Sequence, residues 1–297
     1  MQGKPTDFCE VNRIDQDATF AAFERFSAFF CELFSRPGFL EGAACRDSYK
    51  EYVPQYYGNV FGKGLNPLSP RHLKWFRRLT PLFALPRGSS ILDCGGGYGV
   101  DSIFLASLGY NIVFYEITPH HIGVARWLAE RFGERFGTLP IRFVLAGKDA
   151  TPTGLDAVLL NEVAHHIEPA QRVFDMSAAM LRPGGHLFLL EPNFFCPLIQ
   201  AFFFRVRGFR TVVLTLNEET GEEYLQGNEH IRPIFVWNRH ARAAGFSLSA
   251  AEYVIPWFMR GFSPNPSCLR AALEHTPLVR DLIASHVTLH YVTTIAA

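Results

Sequence analysis

The sequence predicts an α/β fold in which a mostly parallel sheet is flanked by helices. From residue 90 onward, short apolar runs alternate with runs of helical periodicity, and this alternation implies right-handed crossovers between parallel strands. A glycine-rich turn at residues 95–99 joins the first apolar run to a helical run, and such turns are where these folds bind ligands. The chain has 297 residues, of which 48% are hydrophobic, so it can bury a large core.

Seven strands are predicted in this region. Five come first, at residues 90–94, 111–116, 141–146, 157–162 and 186–192, and two follow near the end, at 247–255 and 286–296. Helices are expected from the glycine turn to residue 108, and at 119–132, 169–181 and 236–245. The sequence Arg-Pro-Gly-Gly at 182–185 is expected to turn the chain before the fifth strand.

An aromatic stripe near the N-terminus predicts one further helix. Between residues 17 and 34, phenylalanines recur every three to four positions, which is the spacing of an amphipathic helix. Ser69 and Pro70 indicate the start of another helix. Residues 1–85 are therefore interpreted as an N-terminal helical lid. Residues 86–297 are interpreted as the main domain, with an irregular insertion at 194–232.

Composition argues against several classes of function. The 28 lysine and arginine residues balance 28 aspartate and glutamate residues, so no basic surface for nucleic acid is expected. No apolar run reaches the roughly 18 residues of a membrane span. The N-terminus lacks the pattern of a signal peptide, and the six scattered cysteines indicate reduced thiols. We expect a cytoplasmic protein without a metal site.

The glycine turn distinguishes between three kinds of nucleotide site. A P-loop requires Gly-Lys followed by Ser or Thr, which this sequence lacks. A dinucleotide fingerprint has its third glycine where this chain has Val100, which argues against a nicotinamide oxidoreductase. The pattern that fits is Asp-x-Gly-x-Gly-x-Gly, which starts at Asp93 and has its glycines at Gly95, Gly97 and Gly99.

This turn resembles motif I of the class I S-adenosylmethionine-dependent methyltransferases. Further segments resemble that family in the same order, namely Glu116 at the end of the second strand, Asp149-Ala150 after the third, residues 155–167, residues 181–193 and residues 242–246. The resemblance implies a Rossmann-like class I methyltransferase fold and S-adenosylmethionine as the cofactor.

The resemblance also implies which residues bind the cofactor. Asp93 is expected near the methionine amino group. Glu116 is placed to accept hydrogen bonds from the two ribose hydroxyls. Asp149 is expected to accept a hydrogen bond from the adenine amino group, with the backbone N–H of Ala150 nearby. Glycines in the turn allow the backbone to approach the ligand closely.

Polar residues that follow the fourth strand are the candidate catalytic group. Asn161 and Glu162 are assigned to the cofactor site, and Glu162 could instead face a histidine. His165 and His166 are the catalytic candidates, since histidine can take a hydroxyl proton near neutral pH. The segment resembles the His-Asp-Trp segment of larger O-methyltransferases, with His165 in the position of the base and Ile167 in place of Trp. Alternatively, the histidines pack the turn and line the site.

The predicted methyl acceptor is a small hydrophobic molecule. The chain has 28 phenylalanines, which predict an aromatic core and would also suit an aromatic-lined cavity. The candidate acceptor-binding residues are Tyr56 and Tyr57 in the N-terminal segment, Glu191 and Asn193 after the fifth strand, and His230 in the insertion.

Several alternatives stay open on the sequence alone. O-methylation of this acceptor is the preferred function, and N- or C-methylation or a non-catalytic cofactor-binding module are the alternatives. The chain is expected to act as a monomer or a homodimer. Phenylalanines and arginines alternate closely within the insertion, a composition that would also suit contact with a membrane surface.

Overall fold

One large sheet and one small hairpin organise the chain. The computed structural model describes residues 16–35, 75–76, 78–216, 221, 223–254 and 276–294. The strands are β1 (Ser90–Cys94), β2 (Asn111–Glu116), β3 (Ile141–Leu145), β4 (Leu155–Asn161), β5 (Leu181–Pro192), β6 (Val212–Leu216), β7 (Glu223–Gly227), β8 (Phe246–Val254) and β9 (His286–Thr293). The α-helices are α1 (Gln16–Ser35), α2 (Val100–Ser107), α3 (Pro119–Phe136), α4 (Gln171–Met180), α5 (Pro197–Arg207), α6 (Ile234–Ala243) and α7 (Pro277–Ile283). Short 3₁₀ turns cover Thr80–Ala84 and Ala164–His166.

The large sheet has the strand order β3-β2-β1-β4-β5-β9-β8. Strands β1 to β5 are parallel, and β9 is antiparallel to both of its neighbours. The prediction of a seven-stranded, mostly parallel sheet is therefore confirmed. The strand order changes direction between β1 and β4, and open α/β sheets bind ligands at the carboxyl ends of the strands at such a point.

Helix α1 packs into the core on one face of the sheet. Its residues Phe23, Phe26 and Phe30 are fully buried, in one cluster with residues of α2 and α3. The ring of Phe26 lies 5.2 Å from that of Phe104 in α2, and the ring of Phe29 lies 5.1 Å from that of Phe132 in α3, measured between centroids. The predicted aromatic stripe thus forms the contact between α1 and the sheet-covering helices.

The opposite face of the sheet has a second apolar core. Phe174 of α4, Trp237 of α6 and Tyr291 of β9 are buried there together. The rings of Phe174 and Tyr291 meet edge to face at 5.6 Å, a preferred arrangement of aromatic pairs. Helices therefore cover both faces and leave the carboxyl ends of the strands for ligand binding.

The prediction that residues 194–232 are irregular is wrong, because they contain helix α5 and the β6–β7 hairpin. Pro197 occupies the first position of α5, where its missing N–H group costs nothing. Strands β6 and β7 pair with each other and with no strand of the large sheet. The insertion is therefore a small ordered unit of its own.

Two element boundaries also differ from the prediction. Strand β5 begins at Leu181, so the Arg-Pro-Gly-Gly sequence lies inside it, at an irregularity in the pairing with β4. Helix α3 runs four residues further than expected, to Phe136, whose ring packs against Phe29 at 5.8 Å. The last turn of α3, which its sequence pattern did not predict, thus contacts α1.

No helix in the described part of the chain is long and apolar enough to cross a membrane. The division into a lid at 1–85 and a main domain at 86–297 stays a prediction, because most of the first 74 residues lie outside the described ranges.

The docking of α1 can be tested by removing one ring from its centre. Phe26 is fully buried against Phe30, Trp75 and Phe104. Phe26→Ala is therefore expected to lower the free energy of unfolding by about 3–5 kcal/mol in urea titrations. Phe235→Ala removes an exposed ring and should cost less than about 0.5 kcal/mol. A loss below about 1 kcal/mol for Phe26→Ala would contradict the packing described here.

Candidate functional site

The glycine turn between β1 and α2 forms the floor of the candidate site. Gly95, Gly97 and Gly99 have φ values of +67°, +56° and +75°, in the left-handed region that favours glycine. A Cβ atom on Gly95 would lie 2.9 Å from Val163, whereas one on Gly97 would meet nothing within 4 Å. The turn is therefore packed against the protein at Gly95 and open at Gly97, which leaves space for a ligand next to its backbone.

Asp93 is a buried carboxylate, and only one of its two oxygens has a hydrogen-bond partner among the described residues. Its Oδ2 accepts a 2.6 Å hydrogen bond from the Ser102 hydroxyl, while its buried Oδ1 has no partner among the described residues. Burial, with the negative charges of Asp101 and Glu116, raises the pKa of Asp93 to about 7. A cationic donor at Oδ1 would give this oxygen a hydrogen bond and would compensate the buried negative charge. Asp93 therefore fits the amino group of a bound S-adenosylmethionine.

Glu116 is buried at the end of β2, as predicted for a ribose ligand. Its Oε1 accepts hydrogen bonds from the backbone N–H groups of Ile117 at 2.8 Å and Thr118 at 3.3 Å. The second oxygen, Oε2, lies 3.4 Å from Nδ1 of His121. The backbone contacts fix the orientation of the carboxylate at the edge of the crevice.

Asp149 stabilises its own loop after β3. Its Oδ2 accepts a 2.7 Å hydrogen bond from the backbone N–H of Leu145, and both Asp149 and Ala150 are exposed. The loop follows β3, which is the neighbour of β2. The structure thus places both residues on the Glu116 side of the crevice, and their contact with adenine stays a prediction.

Arg78 is a site residue that the sequence analysis missed. Its Nη2 lies 2.6 Å from Oδ1 of Asn161 and 2.7 Å from Oε1 of Glu162. Asn161 also donates to Asp101, which accepts a 2.6 Å hydrogen bond from the indole N–H of Trp75. The predicted helix after Pro70 contained Arg78, but periodicity could not show that its side chain crosses to the ends of β4 and β5.

Glu162 lies between two basic side chains. Besides Arg78, its Oε1 contacts Nε2 of His286 at 2.9 Å. Burial acts to raise the pKa of Glu162, but the charges of Arg78 and His286 outweigh it and hold the pKa well below its usual range. Its backbone is in the left-handed region, with φ of +60°. Glu162 therefore presents a permanent negative charge at the crevice.

His165 is buried between two carboxylates. Its Nδ1 lies 2.6 Å from Oε2 of Glu191, and its Nε2 lies 3.3 Å from Oε2 of Glu229. Burial acts to lower the pKa of His165, but the carboxylates, chiefly Glu191, raise it to about 10. Both carboxylates thus favour the protonated, charged form of His165.

Glu191 and Asn193, which were predicted to bind the acceptor, contact groups of the protein itself. The second oxygen of Glu191 accepts a 2.9 Å hydrogen bond from the backbone N–H of Ala164, so both oxygens hold the turn that contains His165. Asn193 donates to the carbonyl groups of Asp281 and Ala284 and fastens the end of β5 to α7. Both residues are buried, both hold neighbouring segments of the site in place, and their contact with an acceptor stays a prediction.

The insertion is attached to the site by several contacts. Nδ1 of His166 lies 2.9 Å from the carbonyl oxygen of Gly227 at the end of β7. His230, predicted to bind the acceptor, has its Nδ1 2.6 Å from Oε1 of Glu168, which also contacts Arg232. His230 therefore anchors the insertion to the loop after the 3₁₀ turn.

A cluster of possible metal ligands was not expected from the sequence. Within the described ranges, His165, His166 and Glu229 offer ligand atoms that all lie within 4.8 Å of one another. The contact between Glu229 and His165 shows the same atoms forming an ion pair instead. The sequence could not predict this cluster, because Glu229 reaches the two histidines only through the fold of the insertion.

Tyr56 and Tyr57 lie outside the described residues. Their predicted contact with the acceptor stays a prediction.

Comparisons with known proteins find methyltransferases. A family described as a methyltransferase domain matches residues 69–247. A ubiquinone biosynthesis O-methyltransferase of Xylella fastidiosa is 30% identical over 199 residues, which cover 66% of this chain and 75% of that protein. The protein of the same name from Ralstonia nicotianae is 27% identical over 226 residues, with coverages of 75% and 85%.

Solved structures show the same fold. Magnesium protoporphyrin IX methyltransferase from Synechocystis PCC 6803, with bound S-adenosylhomocysteine, matches with a TM-score of 0.53 at 14% identity and covers 84% of this chain and 98% of that one. A methyltransferase from Methanosarcina mazei matches with a TM-score of 0.50 at 16% identity, with coverages of 73% and 98%.

Replacement of Asp93 separates stability from cofactor binding. Because the pKa of Asp93 is raised from 3.8 to about 7, the folded chain takes up a proton within that range, and the charged form opposes folding at higher pH. Asp93→Asn should therefore keep or raise the melting temperature at about pH 8. It should also weaken binding of S-adenosylhomocysteine at least about tenfold, since the anion is lost.

Calorimetry and thermal unfolding together test this expectation. Asp175→Asn, on the exposed side of α4, is the matched control and should change neither quantity. Normal cofactor affinity in Asp93→Asn would remove Asp93 from the cofactor site.

Proposed function

This chain belongs to the methyltransferase-domain family and is an enzyme that uses S-adenosylmethionine, and on that premise we propose that it methylates a hydroxyl oxygen of a small apolar molecule. The observation that carries the proposal is the buried pair of His165 and Glu191, whose Nδ1 and Oε2 atoms are 2.6 Å apart. A hydroxyl is a weak nucleophile until a base takes its proton. A histidine held by a carboxylate at the ligand edge of the sheet suits that role.

The proposed cofactor contacts follow from the charges around the glycine turn. S-adenosylmethionine, when bound, supplies an electrophilic methyl group on a positively charged sulfur. Asp93 would accept a hydrogen bond from its ammonium group through Oδ1, and Arg78 would bind its carboxylate. Glu116 would accept hydrogen bonds from the ribose hydroxyls. Support comes from Oδ1 of Asp93 and Nε of Arg78, two buried atoms that have no hydrogen-bond partner within the described part of the chain.

Two further pairs of residues complete the proposed cofactor site. Asn161 would orient Arg78, to which it is already hydrogen-bonded. Glu162 keeps its negative charge, which would favour a nearby sulfonium. Asp149 and Ala150 are proposed for the adenine ring because they follow β3, beside Glu116.

The proton step requires that Glu229 moves away from His165. In the present arrangement both carboxylates favour the protonated form of His165, because they raise its pKa, chiefly Glu191 and also Glu229, which lies 3.3 Å from Nε2. When an acceptor hydroxyl takes the place of Glu229, one of the charges that raise this pKa is removed, the pKa falls, and the Nε2 proton leaves to solvent. Glu191 stays on Nδ1 throughout, so Nε2 is the atom that receives the proton. His166, whose Nδ1 faces Gly227, would line the site beside it.

Apolar surroundings favour a hydrophobic acceptor. The ring of Phe203 in α5 lies 6.4 Å from that of His165, measured between centroids. The relatives from Xylella fastidiosa and Ralstonia nicotianae bear a name that specifies O-methylation. N- or C-methylation, or a non-catalytic cofactor-binding module, remain the alternatives, and neither accounts as directly for a buried carboxylate–histidine pair.

Transfer of a labelled methyl group tests the proposal. The purified chain is incubated with methyl-labelled S-adenosylmethionine and pairs of aromatic acceptors that differ only in carrying a hydroxyl or an amino group. Mass spectrometry should find the label on the hydroxyl oxygen. His165→Gln should reduce the rate about 10²-fold or more at saturating cofactor, whereas the control His240→Gln should stay within a few-fold.

Each other outcome contradicts the proposal in a distinct way. Label on nitrogen or carbon would favour the alternative methylations. The absence of any labelled product, with cofactor binding intact, would favour the non-catalytic module. A rate for His165→Gln close to that of the wild type would show that His165 only lines the site.

The pH dependence of the rate tests the role of Glu229. Because the charge of Glu229 helps to raise the pKa of His165, Glu229→Gln should lower that pKa. In the free enzyme the neutral base is then present at lower pH, so the acid limb of the pH profile of kcat/KM should move to lower pH. Glu223→Gln, on an exposed residue of β7, is the control. An unmoved acid limb would show that the titrating group is not His165.

A further inference from the structure

Helix α5 turns an apolar stripe toward solvent. The helix buries only Phe203, while Leu198, Phe202 and Val206 are 64%, 60% and 63% exposed. These three residues are four positions apart, so they lie on one side of the helix. A surface helix of a globular protein normally shows the reverse pattern, with its apolar side toward the core.

Exposed apolar side chains also follow the helix. Phe209 is 90% exposed, and its ring meets that of Phe204, which lies on the other side of α5 from the stripe, edge to face at 4.9 Å. Val212, Leu214 and Leu216 alternate along β6 and are exposed as well. Large contiguous apolar patches on soluble proteins generally mark interaction sites.

The segment that contains α5 and β6 carries only positive charges. Residues 194–216 contain three arginines, Arg205, Arg207 and Arg210, and neither aspartate nor glutamate, although the whole chain has a formal net charge of zero. Arg205 and Arg210 are exposed. Helices that lie in the interface of an anionic membrane typically have phenylalanine and leucine on one face and arginine beside it. Helix α5 has this composition.

We propose that the outer face of α5 binds to the surface of anionic phospholipid membranes. This docking face consists of Leu198, Phe202 and Val206, with Arg205 beside them on the helix and Arg210 just after it. The helix has 11 residues and is about 16 Å long, which suits a position in the plane of the interface. The apolar side chains enter the acyl boundary, and the arginines contact the phosphate groups.

A membrane fits this face better than a second copy of the chain does. A symmetric dimer through α5 brings each arginine close to those of the other copy, and like charges at close range repel. Anionic headgroups neutralise the same arginines. The exposed Glu223 begins β7, and the sequence between β6 and β7 contains three more glutamates, so the docking face does not include the hairpin.

The position of α5 connects the docking face to the site. The helix begins six residues after Glu191, the partner of His165. If the proposed function holds, docking brings the crevice next to an acceptor dissolved in the bilayer. Membrane binding itself does not require methyl transfer, so the two proposals fail independently.

Co-sedimentation with vesicles tests the docking face. The full chain is mixed with vesicles of phosphatidylcholine alone or with an equal part of phosphatidylglycerol, at low and high salt. Wild-type protein should sediment with the anionic vesicles, and more weakly at high salt. The triple substitution L198S/F202S/V206S should weaken binding at least about tenfold, and R205Q/R210Q should abolish the preference for phosphatidylglycerol.

Matched controls separate docking from folding. Phe235→Ser changes an equally exposed ring on α6 and should bind vesicles like the wild type. All variants alter exposed side chains, so melting temperature and binding of S-adenosylhomocysteine should stay unchanged. Methylation of a water-soluble acceptor should also be unaffected by the triple substitution.

Two results would overturn the proposal. If wild-type protein remains in the supernatant with every vesicle, the face does not bind membranes. If, in addition, the wild type is a dimer in light scattering and the triple variant is a monomer, a second copy of the chain covers the face. Equal vesicle binding by wild type and triple variant would assign membrane contact to another surface.

Discussion

The buried contact between His165 and Glu191 is the interaction on which the site depends. Both side chains are almost fully buried, and an unpaired charge at such a position would be strongly destabilising. Their pairing joins the turn after β4 to the end of β5, and the second oxygen of Glu191 fixes the backbone of the same turn. In the same turn, Nδ1 of His166 lies within hydrogen-bonding distance of the carbonyl oxygen of Gly227. Gly227 also packs so closely on the carbonyl group of His165 that a side chain at this position would not fit. The location of the insertion thus follows from this pair.

The crevice carries more negative than positive charge. Among the described residues, Asp93, Asp101, Glu116 and Glu162 lie near the glycine turn or the end of β4, whereas the basic side chains that contact Glu162 are Arg78 and His286. Burial of like charges raises the pKa of Asp93 and weakens the folded state. A positively charged ligand offsets that cost. The same features that reduce stability in this crevice therefore favour a cationic cofactor, as is common in functional sites.

The sequence predicted what is determined locally and missed what depends on distant packing. The glycine turn, Asp93 and Glu116 were predictable because a strand, a turn and a helix next to one another in the chain fix their positions. Arg78 and Glu229 reach the site from elements far away in sequence, so no spacing signals them. Helix α5 was missed for a different reason: its apolar residues face solvent, and its periodicity was not that of a core helix.

The aromatic packing of α1 has a consequence for how the N-terminal part of the chain can change during evolution. Because Phe26 and Phe29 interlock with Phe104 and Phe132, the start of the chain is not an exchangeable module. A relative that replaces its first helix must adjust α2 and α3 at the same time, or lose the shared core. Substitutions at these four positions are therefore expected to co-vary among homologues. Chimeras made by swapping N-terminal segments would need their junction moved beyond α3.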